Sequence, residues 1–172
     1  MSKGYVHVLT GDGKGKTTAA IGLTIRAAGS GFKIFFAQFV KKGDYSEISA
    51  LDKFYPKITV KQFGCGRFIK GKPAVSDIVA AKEGAVEIKK IVKDGEFDVI
   101  ILDEANTAVL CNILSADDLI EIIDCKLDNV EIVLTGRSAH DKIIKRADLV
   151  TEMKEIKHYY KKGVKARDGI EK

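Results

Sequence analysis

The 172-residue chain predicts a single α/β domain built on a mostly parallel sheet flanked by helices. Three observations carry that expectation. Apolar strand-like runs recur along the chain with helical patterns between them. One run, Phe97-Asp98-Val99-Ile100-Ile101-Leu102-Asp103, is nearly continuous in apolar residues, as suits a central parallel strand covered on both faces. A glycine-rich turn, Thr10-Gly11-Asp12-Gly13-Lys14-Gly15, joins the first apolar run to the first helical segment. In such sheets ligands sit beyond the carboxyl ends of the strands.

The elements follow in chain order. Residues 5–10 alternate enough apolar side chains to form the first strand. Residues 17–31 read as a helix whose small face, Ala19, Ala20, Leu23, Ala27 and Ala28, suits close packing on a sheet. Residues 33–39 and 58–63 are the next strand candidates. Residues 74–93 place Ile78, Ala81, Ala85, Ile88 and Val92 at helical spacing. The run 97–103 is the fourth strand. Ser115-Ala116-Asp117-Asp118 resembles a helix start, with Leu119, Ile122 and Ile123 as the apolar face. Strands at 130–135 and 149–154 complete the sheet. There is no internal repeat and no low-complexity linker, so the domain is expected to span 1–172, with a basic C-terminal segment at 157–172.

Strand, glycine-rich turn, Lys16-Thr17 and helix together describe a cradle for a polyphosphate. Glycines let successive N–H groups turn toward phosphate oxygens, and the helix N-terminus adds partial positive charge. Lys16 supplies a full charge, and the Thr17 hydroxyl suits Mg²⁺. The strict pattern G-x-x-x-x-G-K-[ST] has Thr10 in place of its first glycine, so an ordinary strand-to-helix turn is the competing interpretation. Two further groups fall at strand ends. Asp103-Glu104 can serve a cation opposite Thr17, or can simply open a helix. Arg137 follows the 130–135 strand and can fork onto phosphate oxygens, or pair with an acid such as Asp141. Arg26, two and a half turns past Lys16, reads as a solvated charge on a helix face.

Composition narrows the classes. Apolar residues are 45% and charged residues 31%, as expected of a soluble globular protein. No apolar run approaches the roughly 20 residues of a membrane span, and the N-terminus lacks signal-peptide features, so a cytoplasmic location is expected. Cys65, Cys111 and Cys125 have no metal-ligand spacing and fit reduced thiols, Cys65 lying in a glycine-rich loop. His7, His140 and His158 share no ligand spacing either. The net charge of +5 is mild, and the C-terminal lysines are not interleaved with stacking aromatics. That argues against nucleic acid and for a solvated tail or one serving the nucleotide site.

The motifs in order resemble those of ATP:corrinoid adenosyltransferases of the CobA type. Gly11-Asp12-Gly13-Lys14-Gly15-Lys16-Thr17-Thr18-Ala19-Ala20 is similar to their phosphate loop, which also lacks a glycine at its first position. Gln38-Phe39-Val40-Lys41 resembles their Q-F-I-K segment, Leu102-Asp103-Glu104 their L-D-E motif, and Leu134-Thr135-Gly136-Arg137 their L-T-G-R segment. The stretches 147–153, Ile156-Lys157-His158, 163–166 and Gly169-Ile170-Glu171 continue the resemblance almost to the end. It implies a P-loop NTPase-like (RecA-like) sheet and transfer of the 5′-deoxyadenosyl group of ATP to a reduced corrinoid, with triphosphate leaving. It implies ATP binding by Thr10 to Thr18, Arg26 and Arg137, with Arg26 at the ribose end. Lys16 and Arg137 would act on the leaving group, Thr17 and Glu104 would hold Mg²⁺, and Asp103 would stand behind them. A corrinoid reductase or flavoprotein and a homodimer are implied as partners. The chain departs from the family twice. Its first strand begins almost at Met1, without the N-terminal extension of better-known members. Gly66-Arg67-Phe68-Ile69 stands where many carry G-F-x-W, and the chain has no Trp, which leaves Arg67 and Phe68 as the corrinoid candidates beside a plain surface-loop interpretation. A phosphotransferase or ATPase, and a nucleotide-gated corrinoid-binding module, are the alternative functions on the same loop.

Overall fold

The fold grows from six short strands that pair only in parallel. The computed structural model describes residues 2–66, 69 and 71–171. The strands are β1 (Val6–Thr10), β2 (Ile34–Val40), β3 (Ile58–Gly64), β4 (Val99–Asp103), β5 (Glu131–Thr135) and β6 (Leu149–Glu152), in the order β3-β2-β4-β5-β1-β6. Each lies within one residue of its predicted bounds, except the start of β4 and the end of β6, which are each trimmed by two residues. Parallel pairing demands crossovers, and helices supply them. These are α1 (Lys16–Gly29), α2 (Ser46–Leu51), α3 (Val75–Asp94), α4 (Ala105–Leu110), α5 (Ala116–Asp124) and α6 (Asp141–Arg146).

Successive strand side chains point to opposite faces, and the core divides accordingly. Ile34, Phe36, Val99, Ile101 and Val133 pack with Ala20, Ala27 and Ala28 of α1. Phe35, Ala37, Phe39, Ile100, Leu102, Ile132 and Leu134 pack with Ala81, Ile88 and Val92 of α3, Leu119 and Ile122 of α5, and Ile143 of α6. Burial on both faces explains why β2 and β4 read as continuous apolar runs. The α1-side face does not stay apolar to its end. Continuing the alternation, Asp103 and Thr135 end β4 and β5, and Gln62 and Gln38 stand two residues before the ends of β3 and β2. Gln38 is in register with both Gln62 and Asp103, so a polar row closes the carboxyl edge of the sheet.

Three short helices have no predicted bounds, and the helix start offered as the alternative for Asp103-Glu104 is α4, whose N-cap residue is Glu104. α2, α4 and α6 have six residues each, too few to display a helical period. The predicted helix at 115–118 is α5, with Ser115 as N-cap: its side chain accepts from the Asp118 N–H while Asp118 reaches back to the Ser115 N–H.

Candidate active site

The glycine-rich turn connects β1 to α1 as expected, and its shape is set by what lies over it. The Gly13 N–H donates to the Met153 carbonyl at 2.7 Å, and the Met153 N–H donates to the Thr10 carbonyl at 2.8 Å. A Cβ on Gly13 would stand 2.7 Å from the Met153 oxygen, and one on Gly11 2.5 Å from it. These glycines therefore allow the chain leaving β6 to lie against the loop. Two expectations change as a result. The Gly13 N–H is committed to Met153, and the cavity is lined by Asp12 to Thr18 but not by Thr10 or Gly11. The Thr10 hydroxyl accepts from the Ala139 N–H at 3.0 Å.

The first turn of α1 carries no acidic residue and no side chain caps it. The helices α3 and α5 both place aspartates there. The positive end of α1 is left for an outside anion. Lys16 stands over it, its Nζ donating to the Gly13 carbonyl at 2.7 Å. Burial, and next the Arg137 guanidinium, pull Lys16 below the ordinary lysine pKa, against the opposing carboxylates of Glu104, Asp12 and Asp103. Burial is the larger cause, so the Lys16 ammonium is short of solvation, which phosphate oxygens would supply.

Asp103 is fully buried at the end of β4 and accepts three hydrogen bonds. The Thr17 and Thr135 hydroxyls donate to Oδ1 at 2.8 and 2.7 Å, and Gln38 Nε2 donates to Oδ2 at 3.0 Å. Glu104 follows in the left-handed region, φ 59°, a conformation that non-glycine residues hold only where their surroundings impose it. Its N–H donates to Thr135 Oγ1 at 3.0 Å, and its carboxylate accepts from the Thr107 hydroxyl and faces Lys41 Nζ at 3.7 Å. That twist turns Glu104 away from the polar row and out into the cavity, whereas Asp103 stays within the row. Arg137 reaches the same cavity, but it pairs with Asp12 of the loop at 3.2 Å, not with Asp141.

Two neighbouring cavities result. The smaller, about 550 Å³, is lined by the loop, Glu104, Arg137 and the chain's last described residues, Gly169 to Glu171. The larger, about 790 Å³, is lined by Val40, Tyr45, Ile69, Leu110, Cys111 and Tyr160. Lys41, Glu104, Arg137 and His158 line both. Burial, then the Glu104 carboxylate, push the Cys111 thiol up, so it faces the cavity as a protonated, weakly nucleophilic group. Arg26 is exposed in the last turn of α1, about 15 Å of helix from Lys16, and lines neither cavity. Arg67 and Phe68 lie outside the described residues. Sequence reasoning passed over Tyr45, Leu110 and Tyr160; Leu110 was out of reach because α4 had no predicted bounds.

The C-terminal segment returns to the site. Arg167 Nη2 donates to Glu171 Oε1 at 3.1 Å, the Arg167 N–H donates to Oε2 at 2.9 Å, and the Tyr159 hydroxyl donates to the same carboxylate. Arg167, then Tyr159, hold the Glu171 carboxyl at about 2. A depressed carboxyl pKa contributes docking in full above the unfolded value of 4.5, and the contribution fades as pH falls toward about 2. Protection of the Arg167 amide from hydrogen exchange should therefore drop across that window. Glu171→Gln should show low protection already at pH 7 and no such transition; an unchanged profile would separate the clasp from this carboxylate.

The all-parallel sheet, the loop between β1 and α1, and a carboxylate ending β4, one strand removed from β1, place the protein in the P-loop class of α/β folds. The same fold is seen in the flagellar accessory protein FlaH from Methanocaldococcus jannaschii, with a TM-score of 0.59 at 14% identity, covering 88% of this chain and 72% of that one. The chain belongs to the ATP:corrinoid adenosyltransferase family BtuR/CobO/CobP, which matches residues 2–171. It is 32% identical over 171 residues to the corrinoid adenosyltransferase of Escherichia coli K12, spanning 98% of this chain and 86% of that protein. It is also 32% identical to corrinoid adenosyltransferase CobA of Salmonella typhimurium, with the same coverage. The Pseudomonas aeruginosa corrinoid adenosyltransferase is 31% identical over 98% of this chain and 84% of its own length.

Proposed function

We propose that this protein transfers the 5′-deoxyadenosyl group of ATP to the Co(I) centre of a reduced corrinoid and releases triphosphate. The observation that carries the proposal is the pair of cavities sharing Lys41, Glu104, Arg137 and His158. One has a phosphate-binding floor and the other apolar walls, so the two substrates meet at the wall between them. The nucleophile is the substrate's cobalt. Its electron pair forms the Co–C5′ bond, and the C5′–O bond breaks with its pair going to the triphosphate. The reaction asks the protein for alignment and for charge on the leaving group, and for neither a nucleophile nor a base. Lys16, Arg137 and the α1 N-terminus supply that charge. Arg26 and the pair Arg67 and Phe68 remain candidates for the nucleoside and the corrinoid.

The donor set fits Mg²⁺. Thr17 and Glu104 present hard oxygens to one cavity, and no group of three or more His, Cys, Asp or Glu side chains able to hold a metal occurs among the described residues. Mg²⁺ keeps several waters and takes phosphate oxygens, so two protein oxygens suffice. When bound it offsets charge on the triphosphate. Asp103 orients Thr17 through the hydrogen bond at 2.8 Å. Glu104→Gln should raise the Mg²⁺ concentration for half-maximal activity about tenfold. An unaltered titration would remove Glu104 from the metal.

A reductase or flavoprotein as electron donor, a homodimer and a cytoplasmic location belong to the same reading. No helix among the described residues is long and apolar enough to cross a membrane. The test is anaerobic incubation with ATP, Mg²⁺ and chemically reduced corrinoids. Adenosylcorrinoid absorbance with an equal yield of intact triphosphate is expected. ADP and phosphate without alkylated corrinoid would make it a phosphotransferase or ATPase. Tight binding of both ligands without turnover would make it a binding module.

A further inference from the structure

Beyond the groups that touch substrate, the polar row at the sheet edge ends on the loop that walls the larger cavity. Gln38 Nε2 donates to Asp103 Oδ2 at 3.0 Å, and its Oε1 accepts from Gln62 Nε2 at 2.8 Å. Gln62 then clasps the backbone of one residue: its Oε1 accepts from the Gly43 N–H at 3.1 Å and its Nε2 donates to the Gly43 carbonyl at 3.2 Å. Every donor and acceptor of the two side-chain amides but one Gln38 hydrogen is placed in this chain.

The clasped loop is strained. Val40 has φ 65°, a conformation that β-branched residues rarely adopt, and the Lys41 N–H donates back to the Phe39 carbonyl at 2.6 Å across it. That is a tight three-residue turn of the disfavoured hand. Gly64, at the end of β3, makes room for it, because a Cβ there would stand 2.5 Å from the Lys41 oxygen. Strain of this kind persists only where neighbouring contacts over-determine it. The loop delivers Val40, Lys41 and Tyr45 to the larger cavity, with Lys41 Nζ 5.5 Å from the Tyr45 ring centroid.

We infer that Gln62 is a positioning residue for the corrinoid cavity: through its clasp on Gly43, and through Gln38, it ties the strained loop to the buried carboxylate of the nucleotide site. The role assigned to the cavity rests on the adenosyl-transfer reading; the clasp itself does not. Gln62 is only part-buried and two residues from the end of β3, so its substitution leaves the core intact.

The experiment uses the full chain with Gln62→Met and Gln62→Glu. Without any ligand, exchange of the Gly43 amide should accelerate at least tenfold in Gln62→Met, while the amides of β2 and β4 keep their protection. Under turnover, KM for chemically reduced cobalamin should rise about tenfold, with KM for ATP changed less than twofold. Gln62→Glu keeps the shape and can accept from Gly43, but it cannot donate to Gln38, so it should not restore the corrinoid KM. Unchanged Gly43 exchange overturns the clasp. Faster exchange with an unchanged corrinoid KM, an equal rise in both KM values, or full rescue by Glu overturns the positioning role. Failure of adenosyl transfer appears in the unsubstituted protein, and the exchange measurement still decides the clasp there.

Discussion

Replacing Lys16 with Ala is expected to lower kcat/KM for ATP by at least 100-fold, in line with the about 10²–10³ lost when one pre-aimed donor to a developing charge is removed. The side chain is held in place before nucleotide arrives, by its bond to the Gly13 carbonyl. Arg137 is nearby but pairs with Asp12, and both are largely exposed, so solvent screens its contribution. The loss should therefore fall mainly on Lys16. Its lowered pKa adds a sign that can be checked. A triphosphate restores the proton-bearing form, so nucleotide affinity should hold at lower pH and fall as pH rises through the pKa of the free enzyme. Lys16→Ala should lose that alkaline limb; Lys16→Arg should shift it out of range. Triphosphate binding followed by calorimetry across pH reads both. An Ala variant with unchanged turnover at limiting ATP would remove Lys16 from the site.

The strands and the loop were legible because each carries its own local signal. β4 is apolar throughout since both faces are covered, and Gly11 to Thr17 combines turn residues with a cation and a hydroxyl. What escaped the sequence is what depends on a second segment. Gly13 looks like a phosphate contact until Met153 is seen to occupy its N–H. Arg26 is a nucleoside candidate by resemblance alone, and ten residues of helix set it outside the lining of both cavities. Arg137 looks free to choose among acids, and the strand order sets it beside Asp12 rather than Asp141. Gln62 carried a readable sign: like Gln38 and Asp103 it is polar at a position where its strand's alternation calls for a core residue. A polar residue in core parity at the carboxyl end of a parallel strand marks a group with a partner, but the partner is named only by strand order.

Replacing Asp103 with Asn is expected to cost about 1–3 kcal/mol of stability, the range for leaving a buried polar group unmatched, and a fall in Tm of roughly 2–4 °C per kcal/mol for a domain of this size. The size of the side chain hardly changes; the direction of the hydrogen bonds does. Asn Oδ1 can still accept from the Thr17 and Thr135 hydroxyls, but Nδ2 then meets the Gln38 Nε2 that had donated to Oδ2. Gln38 can turn its amide over, which presents a donor to Gln62 Nε2. Gln62 can turn over in its place, which presents a donor to the Gly43 N–H. A peptide group has no such freedom, so the mismatch cannot be passed beyond Gly43. Wherever it settles, two donors face each other in a partly dry row. Thermal unfolding should show the destabilisation, and hydrogen exchange should show lost Gly43 protection some distance from the substituted residue. Thr135→Val removes one donor to Asp103 and the acceptor of the Glu104 N–H, but leaves the polarity of the row from Asp103 to Gly43 unchanged, so it should lower Tm without exposing Gly43. Equal Gly43 exchange in Asp103→Asn and the unsubstituted protein would break the link between the nucleotide carboxylate and the loop of the larger cavity.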